Sequence, residues 1–263
     1  MALAVFLAVG LIGLRGYGLN YWIYRGFSPP SDPSYVTRQG SQVKLRIASP
    51  ALGGRRQDVY VYLPPGYATS GRRYPVLYLL HGFPGRPLAF LETVQMGVVE
   101  DSLTALGRAQ GLILVMPFGS TGTFTDKEWV NGVGRGQDWG TFVSRDLVRA
   151  IDARYRTIAS GAGRAIAGLS EGGFGAIDIA LHHPREFSVV ESWSGYQRPD
   201  KLRAIYGSRL QQLGANDPFT LLPRVVRRLR TYFWIYSGSD DPLRKQNRAF
   251  ATELARQGVP HHY

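Results

Sequence analysis

The chain contains no cysteine. That excludes disulfides, thiolate metal sites and a cysteine nucleophile, while leaving the compartment open. Acidic residues are scarce beside basic ones, 19 against 31, giving a formal net charge of +12 over 263 residues. The positive charges are scattered, with one local concentration at Arg224, Arg227, Arg228 and Arg230. No basic stripe with stacking aromatics and no known binding module accompanies them, so nucleic acid is not an expected partner. Attraction to an anionic surface, or plain arginine-rich usage, accounts for the charge. No internal repeat is visible, and neither a metal nor a cofactor is expected. What remains is 44% apolar and 19% charged, the composition of a globular core. The length suits one large α/β domain with a short appendage.

One segment near the N-terminus is apolar enough to stand out. Ala2 to Leu14 is unbroken by any polar residue, and Gly16 to Tyr24 continues mostly apolar after Arg15. Thirteen residues is the length of a signal-peptide core, too short for a bilayer. Counted through Tyr24, the segment reaches span length and ends in an interfacial cluster, Tyr21-Trp22 and Tyr24. No basic residues precede it, no Ala-x-Ala site follows, and Arg15 and Arg25 on its downstream side argue against export by the positive-inside rule. The segment therefore reads first as a membrane anchor, with a signal peptide and a buried helix as alternatives. The expected organisation is an apolar segment over 1–27, a proline-rich linker over 28–35 and a folded domain over 36–263.

Within that domain, Val43–Ala48 and Asp58–Leu63 read as strands joined by the Gly53-Gly54 turn. Tyr74–Leu80 and Leu112–Met116 are continuous apolar runs, hence central strands buried on both faces. Helical patterns cover 98–106, 141–155, 174–182 and 242–257, and Tyr232–Tyr236 is a later strand. Alternating strand and helix predicts a mostly parallel sheet with helices on both faces. Ala165-Ile166-Ala167, a sharp turn at Gly168-Leu169-Ser170-Glu171-Gly172, and the helix from Phe174 form a strand–turn–helix unit that exposes Ser170. That unit has the form of the nucleophile elbow of an α/β-hydrolase. The pattern alone is weak in a chain with 32 glycines; its context carries the reading, against a merely structural turn. Side chains at Gly168 and Gly172 would clash as the backbone reverses.

Reacting groups in such sheets gather beyond the carboxyl ends of the strands. Acyl transfer needs two backbone N–H groups aimed at the developing oxyanion. Glu171, next after the nucleophile, is one expected donor. Phe83, in the turn His81-Gly82-Phe83-Pro84-Gly85 after the third strand, is the other, unless that turn is a plain strand exit. The triad acid belongs in Ser237-Gly238-Ser239-Asp240-Asp241-Pro242, where it would hold an imidazole's tautomer. Asp241 is preferred, with Asp240 as the alternative, since either can cap the helix that Pro242 opens. The loop 119–140, with Asp126, Lys127, Trp129, Asn131 and Trp139, looks like a substrate cover. Trp129, Asn131 and Trp139 are candidate pocket walls, or else pack over the top edge of the domain. His81 is counted among the substrate-facing residues.

The stretches Val59–Tyr67, Tyr74–Gly85, the elbow through Phe187, Ser192–Gly195 and Gly238–Pro242 resemble the esterase D-like α/β-hydrolases: feruloyl esterases, S-formylglutathione hydrolases and mycolyltransferases. The resemblance covers about residues 43 to 263. It implies Ser170 as nucleophile, Phe83 and Glu171 as oxyanion donors, and Asp241 on the acid position. Glu171 departs from the Met often found there.

A base is harder to find. His182 and His183 lie 12 and 13 residues past Ser170 on one helix, about 18 Å away. His261 and His262 follow Gly258-Val259-Pro260, where a last strand should start, at the opposite end of the sheet from Ser170. The family's histidine sits on the loop after that strand, which would fall beyond Tyr263, so the sequence reads as a domain whose last strand and histidine loop are cut off. The leading expectation is a membrane-anchored, extracytoplasmic or secreted serine esterase or acyltransferase acting on a small-molecule, lipid or sugar ester. This chain by itself would be nearly inert. The alternative is a non-catalytic envelope-binding or scaffold protein that keeps the hydrolase shell.

Overall fold

The computed structural model describes residues 2–119, 128–198, 203–206 and 210–263. Its elements in chain order begin with helix α1 (Ala2–Tyr24), strands β1 (Ser41–Ala48), β2 (Arg56–Leu63) and β3 (Val76–Leu80), helices α2 (Ala89–Glu92) and α3 (Met96–Ala105), and β4 (Ile113–Pro117). Helices α4 (Trp139–Thr141) and α5 (Val148–Arg154) follow, joined by a π-helical stretch, Phe142–Leu147. Then come β5 (Arg164–Leu169), α6 (Glu171–His182), β6 (Val189–Trp193), α7 (Arg203–Tyr206), α8 (Leu210–Ala215), α9 (Pro218–Val225), β7 (Tyr232–Tyr236), α10 (Arg244–Arg256) and β8 (His261–His262).

Among the described residues the strands form one sheet in the order β1-β2-β4-β3-β5-β6-β7-β8. The β1–β2 and β2–β4 pairs are antiparallel and all others parallel. The mostly parallel α/β architecture expected from the sequence is therefore present. Strands β3 and β4, Val-Leu-Tyr-Leu-Leu and Ile-Leu-Val-Met-Pro, are buried along their whole length, as strands covered on both faces must be. Helix α6 is buried from Glu171 to Leu181 and packs against β3, β5 and β6. The parallel strands β3, β5, β6 and β7 all end on one side, so the turns at His81, Ser170, Ser194 and Ser237 share an edge.

The N-terminal segment is helical, and it corrects one expectation. Among the described residues no helix is long and apolar enough to cross a membrane. The unbroken apolar part of α1 ends at Arg15, and thirteen residues at 1.5 Å each cover about 20 Å of a hydrocarbon core about 30 Å thick. The membrane anchor, and the envelope location argued from it, lose that support.

Candidate active site

Ser170 stands at φ 56° and ψ −115° between β5 and α6, a backbone conformation that non-glycine residues rarely adopt. The elbow is held from both sides. The Ser170 N–H donates to the Trp193 carbonyl at 2.9 Å, and the Ser170 carbonyl accepts from Gly173 and Phe174 at 2.9 and 3.1 Å. Its tightness explains its glycines. A Cβ on Gly168 would lie 2.2 Å from Gly172, and one on Gly172 would lie 1.9 Å from the Leu80 carbonyl oxygen. Among the described residues Ser170 Oγ has no hydrogen-bond partner.

The turn after β3 closes onto this elbow. A Cβ on Gly82 would sit 2.9 Å from the Leu169 carbonyl oxygen and 3.2 Å from the Ser170 Cβ. Only a residue without a side chain fits at Gly82, and Phe83 after it lines the same cavity as the serine. Glu171 is the first residue of α6, so its N–H has no acceptor within the helix and sits at the positive end of the helix dipole. The Glu171 side chain is buried.

His81 lines the cavity beside Ser170, but its ring is committed elsewhere. Nε2 accepts the Gly119 N–H at 3.1 Å, which leaves the proton on Nδ1 to be donated to the Gly82 carbonyl at 2.8 Å. The ring packs against Phe118 and Trp129. With both nitrogens occupied, His81 braces the turn and is not poised as a base. Trp129 is fully buried beneath it and donates its indole N–H to the His81 carbonyl at 3.0 Å. Trp139 packs edge-on against Trp129. Asn131 holds Thr141 through its side-chain amide, at 2.8 and 2.9 Å. Trp129 and Trp139 are buried and exposed Asn131 ties its loop to Thr141; none of the three is in the lining of the cavity over Ser170. Asp126 and Lys127 of the same loop lie outside the described residues.

Of the two aspartates after β7, Asp240 is exposed. Asp241 uses Oδ1 to accept the Leu243 N–H at 2.8 Å, while its Oδ2 is buried without a partner among the described residues. One residue thus caps the turn and keeps an acceptor in reserve. Strands β5 and β7 are separated by β6 alone, so this loop lies about 10 Å across the sheet from the elbow.

Apart from His81, whose two ring nitrogens are taken up by Gly82 and Gly119, no histidine stands near Ser170. His182 Nδ1 bonds the Asp178 carbonyl at 2.9 Å and lies 3.4 Å from its carboxylate. Burial alone would lower its pKa, but the bond to Asp178 raises it to about 9. His183 Nε2 pairs with Ser144 Oγ at 3.1 Å. His261 and His262 lie level with Phe233 and Trp234, whereas Leu169 is level with Trp193 and Tyr236. Three strand spacings and two residue rises put His262 roughly 16 Å from the elbow. No group of three or more His, Asp or Glu able to hold a metal occurs among the described residues.

The cavity over Ser170 has a volume of about 780 Å³, inside the usual range of roughly 300–1,000 Å³ for small-molecule sites. Part of its wall was not foreseen: Trp22 and Ile23 come from α1. Read from the sequence alone, the apolar run of α1 points to a membrane or a signal, not to a site 147 residues further on.

Residues 49–261 match the sequence profile of the Esterase family. The chain is 39% identical over 198 residues to Esterase Rv1288 of Mycobacterium tuberculosis, covering 74% of this chain and 41% of that protein. It is 26% identical over 259 residues to the diacylglycerol acyltransferase/mycolyltransferase Ag85C of Mycobacterium leprae, covering 90% and 69%. A solved ferulic acid esterase superposes with a TM-score of 0.72 at 27% identity, covering 85% of this chain and 89% of that one. The chain thus spans about two-fifths of the length of the first curated relative it matches.

Proposed function

We propose, for a chain that belongs to the Esterase family, that it is a serine ester hydrolase or acyltransferase with Ser170 as nucleophile. The observation that carries this is the elbow itself: Ser170, strained and with its Oγ unpartnered among the described residues, faces an apolar cavity with the turn from β3 pressed against it. In the proposed reaction Ser170 Oγ attacks the ester carbonyl, and the N–H groups of Phe83 and Glu171 bind the oxyanion. The ester C–O bond breaks, the acyl group remains on Ser170, and the proton lost by Ser170 reaches the leaving alkoxide through an imidazole. Asp241 Oδ2, buried with no hydrogen-bond partner among the described residues, is the acceptor that would hold that imidazole. Water or an acceptor hydroxyl then releases the acyl group.

None of the five histidines of this sequence offers that imidazole: His81 lines the cavity but both of its ring nitrogens are bonded, and the other four lie away from Ser170. Free imidazole added to the protein is therefore the test. Hydrolysis of p-nitrophenyl acetate should rise with imidazole well above the rate that imidazole gives with Ser170→Ala protein. Equal rates for the two proteins would refute the assignment. A non-catalytic scaffold is the second reading, favoured by the commitment of the one nearby imidazole, His81, to Gly82 and Gly119, and it predicts no difference at any imidazole concentration.

A further inference from the structure

Helix α1 ends against the cavity that contains Ser170. The last carbonyls of a helix have no partners within it. Here the Ile23 carbonyl accepts from Thr93 Oγ1 at 2.9 Å and from Arg86 Nη2 at 3.2 Å. Arg86 also pairs with Glu92, and a cation at this end of a helix suits its dipole. Gln95 adds a bond to the Ser28 carbonyl at 3.1 Å. The end of α1 is thereby fixed on the segment that follows the oxyanion turn. Trp22 and Ile23 form one wall of the cavity, facing Phe83, Phe90, Val94 and Leu169.

Most of the polar groups in that wall are spent on one another: the Thr93 hydroxyl is bonded to Ile23, Arg86 to Ile23 and Glu92, and the His81 ring to Gly82 and Gly119. Arg25, also in the lining, is exposed and stands over the Trp22 ring at 5.9 Å. Along Ile23, Phe83, Phe90, Val94 and Leu169, away from Arg25, a hydroxylated or charged acyl group would lose its water and find little to replace it. An alkyl chain loses nothing on entry and gains apolar contact with each methylene.

We propose that Trp22 and Ile23 form the specificity wall of an acyl pocket that selects unbranched, medium-length alkyl esters for transfer to Ser170. This rests on Ser170 being the nucleophile. The reaction is the acyl transfer written above, with the alkyl chain lying along α1 while the ester carbon bonds to Ser170 Oγ.

The experiment compares hydrolysis of p-nitrophenyl octanoate and acetate, with imidazole supplied, and pairs it with calorimetric titration of sodium decanoate into Ser170→Ala protein. Ile23→Trp, which fills the cavity, should lower the octanoate-to-acetate rate ratio at least tenfold and weaken decanoate binding at least tenfold. Ile23→Ala should shift the preference toward dodecanoate. Leu7→Ala, on the exposed part of α1, should leave the ratio unchanged. Thermal melts matching wild type show that the variants are folded. An unchanged ratio and unchanged decanoate affinity in Ile23→Trp overturn the proposal. If Ser170→Ala hydrolyses acetate as fast as wild type, the nucleophile reading fails instead, and the decanoate titration still decides the pocket.

Discussion

Replacing Gly172 by alanine adds one methyl group at the tightest point of the elbow. That carbon would lie 1.9 Å from the Leu80 carbonyl oxygen, 2.5 Å from the Leu80 carbonyl carbon and 3.0 Å from the His81 carbonyl oxygen. Heavy atoms in good contact stand about 3.5 Å apart or more, so the overlap exceeds 1 Å and every atom struck is backbone. No rotamer change relieves it. Leu80 cannot retreat, because β3 is hydrogen-bonded between β4 and β5 and is wholly buried. The helix must move, lifting Phe174, Ile177 and Leu181 of α6 from a packed interior. Overpacking usually costs about 1–3 kcal/mol, and a rigid backbone clash belongs at or above the top of that range. The opposing gain in helix propensity is at most about 1 kcal/mol. Gly172 lies outside the left-handed φ region, so the effect is contact and not dihedral strain. A net loss of about 3 kcal/mol lowers Tm by roughly 6–12 °C for a domain of this size. Gly214→Ala is the control. It lies in α8 with nothing within 4 Å of the added carbon, and should gain up to about 1 kcal/mol. Differential scanning calorimetry of both variants decides it, and a Gly172→Ala melt within about 2 °C of wild type would refute the reasoning.

Further outcomes follow from the same contacts. Burial pushes the Glu100 carboxyl up from 4.5 to about 7, against the pull of the Leu112 N–H and with a further push from Asp101. Its folded pKa lies above its unfolded one, so this stability is complete below pH 4.5 and is lost as pH rises through 7. About 3 kcal/mol is involved, and Glu100→Gln should flatten that part of the urea-midpoint curve between pH 4.5 and 8; an unchanged slope would count against it. Asp241→Asn should cut imidazole-supported hydrolysis at least tenfold with little change in Tm, while Asp240→Asn stays within twofold; a reversed order would move the acid to Asp240. Gly82→Ala, which pushes the oxyanion turn away from Ser170, should slow acylation about 10²–10³-fold, the usual worth of one oxyanion donor, and stopped-flow release of p-nitrophenol measures it.

The parts of the fold legible in sequence were those where one physical demand dominated. Val76–Leu80 and Ile113–Pro117 had to be interior strands because nothing in them tolerates water, and Gly168 and Gly172 marked the elbow because no side chain fits there. Strand β6 was missed. Val189-Val190-Glu191-Ser192-Trp193 places a carboxylate and a hydroxyl mid-strand, and Ser192 is wholly buried within the turn network around Gly195. Helices α7 to α9 escaped notice as well, being short and set among arginines, with Pro223 inside α9. At the proposed site, Ser170, Phe83, Glu171 and Asp241 could be singled out from sequence because each follows a strand end. The packing of Trp129 and Trp139 was not legible, since composition does not distinguish an aromatic wall from an aromatic prop. That difference is set by a hydrogen bond from Trp129 to His81 between residues 48 positions apart. The docking of Ile23 against Thr93 left no trace in local pattern for the same reason.

The most direct test of the central claim is to trap the acyl-enzyme. The protein is exposed to p-nitrophenyl acetate with imidazole, quenched in acid within the first turnover, and digested for peptide mapping by mass spectrometry. The account predicts one acetyl group on the peptide containing Gly168-Leu169-Ser170-Glu171, assigned to Ser170 and missing from Ser170→Ala. An acetyl group mapped to another side chain, or an equal yield from Ser170→Ala protein, would contradict it.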